Sequence, residues 1–431
     1  MNGVDAMLVA AERVSGEPLT VVLYGIVRGR APSLERLRRL VAERWGHLGR
    51  LRLRFPTAHG AVMRPYSWVL GGDCPSSQVH EWRESSSVRF QDLLAAEMAS
   101  GFPRRSASAL WNLFLVPRVE EDAYALVLSA HHALLDGYSL VCLFRLLCDG
   151  PASLSPDEVR PDALQPPLPR AGAPAVAHAL LALARRCRDV TLAGGDRTAS
   201  PVPVSGPRTA RAVERVEISR AAMDAARGRR GPDGRRPFTV TEVYIAAVAH
   251  ALAEQRAAAR GRVGIAVPVD LRSPAEAPVL GNRVSAVRVQ VRMGRSALPD
   301  VLADVAGGLR HNRARRRALG GAVALEAVAG FASRSVDLVA RGLCLPSTAA
   351  LTCSSLRCLE EDMELDGQPV TRVAGFGPLP PGQQVYTVLC TNADAHVLCL
   401  VSRADLAPVL PELGRAVGRH ILSLGHDMKA G

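Results

Sequence analysis

Two adjacent histidines and a nearby aspartate form the segment of this chain whose residue types best suit chemistry. The segment His131–Gly137 reads HHALLDG. A neutral imidazole can take a proton from an alcohol or amine as that group attacks a carbonyl, because the unperturbed pKa of histidine lies near neutrality. Adjacent residues of a strand point to opposite faces, so His131 and His132 cannot both face one cavity. We therefore expect one histidine at most to act as a general base.

The surrounding sequence predicts a strand before this segment and a helix after it. Tyr124–Ala130 is a short apolar run rich in strand formers, whereas Tyr138–Cys148 repeats apolar residues at helical spacing. A strand that ends in histidine and turns into a helix places an imidazole at the mouth of a crevice. Asp136 either orients a histidine or pairs with a distant arginine. Gly137 is expected to adopt a backbone angle that a residue with a Cβ would resist.

The full pattern HHxxxDG resembles the signature of the thioester-dependent acyltransferase superfamily. That superfamily includes chloramphenicol acetyltransferase, peptide-synthetase condensation domains and the wax ester synthase/diacylglycerol acyltransferase enzymes. The resemblance implies that His132 is the catalytic base and that His131 is structural. It also implies a salt bridge between the motif aspartate and a remote arginine, which here would be Asp136 and Arg272. Such a pair would fix the turn, and with it His132, across the seam between two domains.

Other segments extend the resemblance to the wax ester synthase/diacylglycerol acyltransferase family over nearly the whole chain. They are Val4–Met7, Ser108–Val116, Val267–Arg272 and Leu280–Arg283. By this likeness, Trp111, Ser139 and Asn282 are candidates for the wall of a substrate channel. For Trp111, a place in the hydrophobic core is the alternative.

Two departures from the family pattern leave the acceptor substrate open. Thr241 and Glu242 replace the family's Asn-Asp pair, and TCSSL at Thr352–Leu356 replaces its Ser-Asn-Val-Pro-Gly-Pro segment. Both regions help to line the substrate channel in the family. A specialised acceptor is therefore favoured over a storage lipid.

The resemblance implies an α/β fold of two chloramphenicol-acetyltransferase-like domains, each a mixed sheet with helices, and an active-site tunnel at their interface. Many prolines between Pro151 and Pro174 are incompatible with a continuous helix or a central strand. We accordingly expect an N-terminal acyltransferase subdomain at residues 1–175, a linker at 176–206 and a C-terminal subdomain at 207–431.

Hydrophobic periodicity predicts further elements in both halves. Strands are expected at Pro18–Val27, Leu51–Phe55, Ala212–Ile218, Val263–Val269 and Val284–Val291, with more between Gln368 and Asp405. Helices are expected at Ser33–Trp45, Arg220–Arg227, Thr239–Glu254 and Leu406–Leu424, and a helical piece is expected at Ala175–Arg188.

The net charge of +12 comes almost wholly from arginine, since Lys429 is the only lysine. Such a surface should attract polyanions, acidic proteins or anionic membranes. Nucleic acid is disfavoured as a partner because aromatic residues make up only 4% of the chain. The arginine clusters at Arg227–Arg236 and Arg310–Arg317 are either solvated faces or contacts for the phosphates of CoA or for an acidic carrier protein.

Several other chemistries lack their characteristic residues. Nine cysteines without a CxxC pair indicate buried thiols and neither a disulfide framework nor a zinc site. Motifs of serine hydrolases, P-loop proteins, zincins and calcium sites are missing from the sequence. We expect no bound metal and no cofactor, with acyl-CoA or a phosphopantetheine-bound acyl group as co-substrate. No apolar run is long enough to cross a bilayer and no signal peptide pattern opens the sequence, so a cytoplasmic location is expected.

These inferences predict an acyltransferase that moves an acyl group from acyl-CoA or an acyl or peptidyl carrier protein to a small alcohol or amine. The product would be an ester or amide, formed in natural-product biosynthesis. One alternative is a wax ester synthase/diacylglycerol O-acyltransferase that makes storage lipid and contacts membranes peripherally. The other is a catalytically inactive relative that only binds a carrier protein or a lipid.

Overall fold

A computed structural model describes most of the chain. The described residues are 1–56, 65–71, 74–82, 89–102, 109–159, 209–231, 234–255, 261–273, 278–293, 297–330, 333–344 and 349–430. The predicted linker at 176–206 and the predicted helical piece at Ala175–Arg188 lie outside these ranges.

The regular elements of the first half are a mixture of helices and strands. In chain order they are α1 (Gly3–Ser15), β1 (Thr20–Arg28), α2 (Leu34–Trp45), β2 (Leu53–Arg54), β3 (Val69–Leu70), β4 (Val79–Glu81), α3 (Phe90–Ala99), β5 (Trp111–Glu120), β6 (Ala123–His131) and α4 (Gly137–Leu147).

The second half also mixes helices and strands, with runs of several strands or several helices. Its elements are β7 (Arg211–Ser219), α5 (Arg220–Ala226), α6 (Val240–Gln255), β8 (Gly261–Asp270), β9 (Val284–Met293), α7 (Leu298–Leu309), α8 (His311–Ala329), α9 (Ser333–Leu343), β10 (Leu351–Leu359), β11 (Glu364–Leu365), β12 (Gln368–Phe376), β13 (Val385–Asn392), β14 (Ala395–Arg403) and α10 (Leu410–Ala430).

The first sheet has six strands in the order β11-β12-β1-β6-β5-β4. β1 lies at its centre and pairs antiparallel with β6, so that Thr20 faces His131. On its other side β1 pairs with β12, with Val22 opposite Phe376. The strand β12, from the second half of the sequence, is therefore an integral part of the sheet whose strand β6 ends at His131.

The second sheet also has six strands, in the order β7-β14-β13-β10-β8-β9. β10 runs parallel to both β13 and β8, while β8 and β9 form an antiparallel pair. Both six-stranded sheets are thus mixed, as predicted, and helices pack against them.

The central strands form because their sequences are continuous apolar runs that can be buried on both faces. Every residue of β6 is buried, and eight of the nine residues of β1 are buried. α2 begins after Ser33, whose side chain accepts a hydrogen bond from the backbone N–H of Arg36 and so caps the helix. The predicted long buried helix is α6, with a continuous buried core from Val243 to Ala249.

Two predicted elements differ from the structure. The strand expected at Leu51–Phe55 is instead a 3-10 turn at Gly49–Arg52 followed by the two-residue strand β2. The sequence LRLRF alternates apolar and charged residues, but the pattern is misleading because Arg52 is exposed whereas Arg54 is buried. The expected C-terminal helix begins later, since Ala404–Val409 forms a 3-10 turn that contains Pro408.

The sequence predicts that the cysteines are buried thiols. Cys74 is exposed and Cys344 is half-buried, so the prediction of buried thiols is wrong for these two. The other described cysteines, at 142, 148, 353, 358, 390 and 399, are buried.

In the part of the chain that the structure describes, none of the helices combines the length and the apolar character needed to cross a membrane.

Candidate active site

The HHALLDG segment forms a tight turn between β6 and α4, as its sequence predicts. β6 ends at His131, and α4 begins at Gly137 with Asp136 as its N-cap. The Oδ1 atom of Asp136 accepts a hydrogen bond from the backbone N–H of Ser139 at 2.9 Å and from its hydroxyl at 2.7 Å. The aspartate therefore satisfies an amide at the helix start that has no intrahelical acceptor.

Side chains from distant segments satisfy the backbone carbonyls of this turn. Arg50 donates from Nε to the oxygen of Leu134 at 2.9 Å and from Nη2 to the oxygen of Ala133 at 3.1 Å. The amide Nδ2 of Asn282 lies 2.7 Å from the oxygen of His132 and 3.0 Å from that of Ala133. Buried carbonyls need such partners, so these contacts fix the path of the turn.

The buried partner of Arg50 is Asp5. Their ion pair joins Nη2 to Oδ2 at 2.9 Å, and both side chains are almost fully enclosed. Asp5 also accepts hydrogen bonds from Asn282 Nδ2 at 2.9 Å and from Trp68 Nε1 at 3.0 Å. α1 is thereby linked to both groups that hold the histidine turn.

His131 is enclosed and fully engaged. Its Nδ1 accepts a hydrogen bond from the backbone N–H of Ala133 at 3.0 Å, so the ring proton of the neutral form must be on Nε2. Nε2 lies 2.8 Å from a carboxylate oxygen of Glu12, and the side chain is 1% exposed. These contacts give His131 a structural position.

His132 differs in both exposure and hydrogen bonding. It is half-buried, and its Nδ1 lies 3.3 Å from the backbone oxygen of Leu135. A carbonyl oxygen can only accept, so Nδ1 carries the proton and the lone pair of a neutral ring is on Nε2. Enclosure by protein lowers the pKa of His132 below its ordinary 6.5, against the opposing effect of the Asp136 carboxylate. The ring is therefore neutral at neutral pH, the form that can accept a proton.

The predicted pair of Asp136 and Arg272 forms with two-pronged geometry. Arg272 Nη1 lies 3.0 Å from Oδ2 of Asp136, and Nη2 lies 3.1 Å from Oδ1. Burial alone would raise the pKa of Asp136, but the Arg272 guanidinium and the hydrogen bonds from Ser139 together outweigh it, so the net pKa is lowered. Arg272 also donates to the backbone oxygens of Val279 and Gly281 and lies over the ring of Tyr138 at 4.3 Å. The pair joins the turn after β6 to the segment between β8 and β9.

The three residues expected to line a channel are internal. Trp111 is fully buried, donates a hydrogen bond to the backbone oxygen of Leu51 at 3.0 Å and packs edge-on against Trp45. It therefore lies in the hydrophobic core, the alternative to a place in a channel wall. The hydroxyl of Ser139 is bonded to Asp136 and accepts from the N–H of Gly281 at 2.9 Å. Asn282 is buried among its backbone partners. Ser139 and Asn282 thus position the turn in this structure and do not expose a wall to substrate.

The reason expected for Gly137 is wrong. Gly137 is the first residue of α4 and is not among the described residues with positive φ. A Cβ there would instead come within 2.9 Å of Cδ1 of Leu356, which lies on β10. Glycine allows the start of α4 to approach a strand of the second sheet closely.

No role was predicted for Arg50 or Glu12, and Asp5 and Arg283 were included only as parts of the family-like segments Val4–Met7 and Leu280–Arg283. The N–H of Arg283 donates to Oδ2 of Asp136 at 3.2 Å. The available signal was a set of polar residues inside otherwise apolar segments, such as Asp5 within the helix that opens the chain. Buried charged residues need partners, so such positions suggest an internal network.

The second half contributes polar residues near the start of α6. Glu242 accepts from both the N–H and the hydroxyl of Thr239, while its own N–H donates to Thr239, which completes a capping box. The hydroxyl of Thr241 lies 3.0 Å from that of Ser355 on β10. The two stretches that depart from the family pattern therefore meet in space.

Removing the Asp136 carboxylate should unfold the chain more readily. The Asp136→Ala variant leaves a buried guanidinium without its main counter-ion, at a cost of about 3–5 kcal/mol in the free energy of unfolding. Asp270→Asn is the matched control, because Asp270 contacts the same guanidinium at 3.1 Å but is half exposed. We expect the control to lose less than about 1 kcal/mol in urea unfolding. If Asp136→Ala is as stable as wild type and loses only its activity, Asp136 acts instead by orienting a histidine.

Comparisons with known proteins agree with this architecture. Residues 280–424 match the family model of the WS/DGAT C-terminal domain. No curated protein matches the chain in sequence. Among solved structures, the wax ester synthase/diacylglycerol acyltransferase from Marinobacter aquaeolei VT8 is 15% identical, with a TM-score of 0.63, and the match covers 100% of this chain and 99% of that one.

Two further structures cover nearly all of the chain. The trichothecene 15-O-acetyltransferase TRI3 from Fusarium sporotrichioides is 12% identical, with a TM-score of 0.68, and the match covers 98% of this chain and 94% of that one. The starter condensation domain of rhizomide synthetase RzmA is 14% identical, with a TM-score of 0.64, and the match covers 99% and 94%. Residues 280–424 are thus similar to a WS/DGAT C-terminal domain, and the chain has the two-domain fold of the chloramphenicol-acetyltransferase-like acyltransferases.

Proposed function

We propose that this chain transfers an acyl group from a thioester to a hydroxyl or amine, with His132 as the general base. The observation that carries the proposal is the state of His132. Its Nδ1 faces the oxygen of Leu135, which leaves the lone pair of the neutral ring on Nε2 for a substrate proton, and enclosure lowers its pKa and so favours that neutral form. The surrounding turn is held by Asp136, Arg50 and Asn282, so the base has a fixed position.

The proposed reaction needs one proton carrier and no bound cofactor. Nε2 of His132 takes the proton from the acceptor as its oxygen or nitrogen attacks the thioester carbonyl carbon. The tetrahedral anion then collapses, the carbon–sulfur bond breaks and the thiolate leaves. The thiolate takes up the proton from His132, which restores the neutral base. The products are an ester or amide and a free thiol.

The nature of the donor is supported by the relatives and by the surface charge. The RzmA starter condensation domain was solved with C8-CoA and Leu-SNAC, both of which are thioesters. An excess of arginine favours negatively charged donors, whether CoA or an acidic carrier protein. Some of the clustered arginines are used internally, since Arg236 donates to the oxygen of Gly228 and Arg315 to that of Arg272.

For the acceptor, we favour a hydroxyl or amine on a polar scaffold, as in the tailoring of a natural product. The support is the polar contact between Thr241 and Ser355, in the two stretches that differ from the wax ester synthase pattern. The second candidate, synthesis of wax esters or triacylglycerol, is favoured by the WS/DGAT match at residues 280–424. A mass-spectrometric screen of acyl-CoA and carrier-loaded donors against both acceptor classes separates the two. Efficient formation of wax ester or triacylglycerol would overturn our choice.

Replacing the proposed base should slow turnover strongly without unfolding the chain. We expect His132→Ala to release thiol about 100- to 10,000-fold more slowly than wild type, the usual contribution of a positioned proton acceptor. The fold should persist because His132 makes one long side-chain contact. His47→Ala, which removes an exposed histidine of α2's C-terminal turn, should match wild type.

A thiol-trapping assay measures this rate, and circular dichroism checks the fold. Turnover at the wild-type rate in His132→Ala would contradict the mechanism. Thioester binding without thiol release by wild type, across the donor and acceptor screen, would instead identify an inactive relative.

The pH dependence of kcat/KM should show a single acidic limb. Protonated His132 cannot accept the substrate proton, so the rate should fall as pH decreases through the pKa of the free enzyme's base. Because enclosure lowers that pKa, we expect the midpoint below pH 6.5 and a plateau above it. The residual rate of His132→Ala should lack this limb. A midpoint above 6.5 in wild type would contradict the proposed environment of His132.

A further inference from the structure

A second group of chemically versatile side chains lies where α6 packs against α10. His250 and Glu254 are four residues apart on α6, and His420 lies on α10. Residues four apart share one face of a helix, so the two α6 side chains point to the same neighbour. No step of the proposed acyl transfer uses them.

The potential ligand atoms of these residues converge. Nδ1 of His250 lies 3.4 Å from Nε2 of His420, and Nε2 of His420 lies 2.9 Å from Oε2 of Glu254. Oε1 of Glu254 lies 3.8 Å from Nδ1 of His250. One ligand atom from each residue fits within 4.8 Å of the other two.

These separations suit a tetrahedral metal site. With metal–nitrogen bonds of 2.0–2.1 Å, two ligand atoms of a tetrahedral zinc site are about 3.4 Å apart. Two imidazoles and a carboxylate are ligands that zinc accepts, and three protein ligands leave the fourth position for water. The side chain of Glu254 is 51% exposed, which leaves a path for an ion to enter.

We propose that His250, Glu254 and His420 bind a divalent transition metal of the zinc class and thereby clamp α6 to α10. The ligands are 166 and 170 residues apart across the two helices, so the ion would be a long-range cross-link. The ion would bind near the C-terminal end of α6, where His250 lies about 14 Å along the helix from Thr241. The role is structural and does not depend on the proposed acyl transfer.

The test is metal binding by the full chain after treatment with EDTA and removal of the chelator. Co²⁺ serves as a spectroscopic probe, because tetrahedral Co²⁺ absorbs visible light strongly, and Zn²⁺ should then displace it. We expect one ion per chain. His250→Ala, Glu254→Gln and His420→Ala should each weaken binding by at least about tenfold, since every one removes a direct ligand.

The matched control is His426→Ala, which removes an exposed histidine from the same α10. It should bind Co²⁺ and Zn²⁺ like wild type. Zn²⁺ should also raise the melting temperature of wild type and of His426→Ala but not of His420→Ala, because a ligand that binds only the folded state stabilises it. Absence of saturable binding, or equal loss in His426→Ala and His420→Ala, would show an ordinary hydrogen-bonded cluster and overturn the proposal.

Discussion

The ion pair between Asp136 and Arg272 is the constraint on which the candidate site depends. The Asp136 carboxylate caps α4 and accepts hydrogen bonds from the hydroxyl of Ser139 and the N–H of Arg283. The Arg272 guanidinium donates to the backbone oxygens of Val279 and Gly281, which follow β8. A buried charge pair is stabilising only when its remaining hydrogen-bonding capacity is satisfied. Here residues from both halves of the sequence supply these hydrogen bonds. The turn after β6 and the segment between β8 and β9 therefore stabilise each other's positions.

The two histidines show how neighbouring residues acquire different chemistry from their surroundings. His131 has both ring nitrogens engaged, by Ala133 and Glu12, whereas His132 uses one nitrogen to fix its tautomer. The difference follows from the end of β6, where one side chain faces α1 and the core and the other is half-buried. Identity of residue type therefore does not imply identity of role, even at adjacent positions.

The sequence predicted those features that leave a local pattern. The periodicities of β6 and α4 and the HHxxxDG spacing are local, and family likeness supplied the remote partner Arg272. Contacts from a side chain to a backbone carbonyl leave no such pattern: Arg50 reaches Leu134 over 84 residues and Asn282 reaches His132 over 150. For the same reason the close approach of Gly137 to Leu356 was misread as a need for an unusual backbone angle. Two of the three residues His250, Glu254 and His420 are close in sequence on one helix, but the third comes from another helix.

The place of β12 beside β1 has a consequence for the order in which the protein is made. Val22 and its pairing partner Phe376 are separated by more than 350 residues, so one edge of β1 is synthesised long before its neighbour exists. At translation rates of 5–20 residues per second, this interval is roughly 20–70 s. During it, an apolar strand has backbone groups without their final partners, the kind of edge that pairs with other chains. Until residues 368–376 have been synthesised, β1 therefore lacks the neighbour that covers this edge in the folded protein.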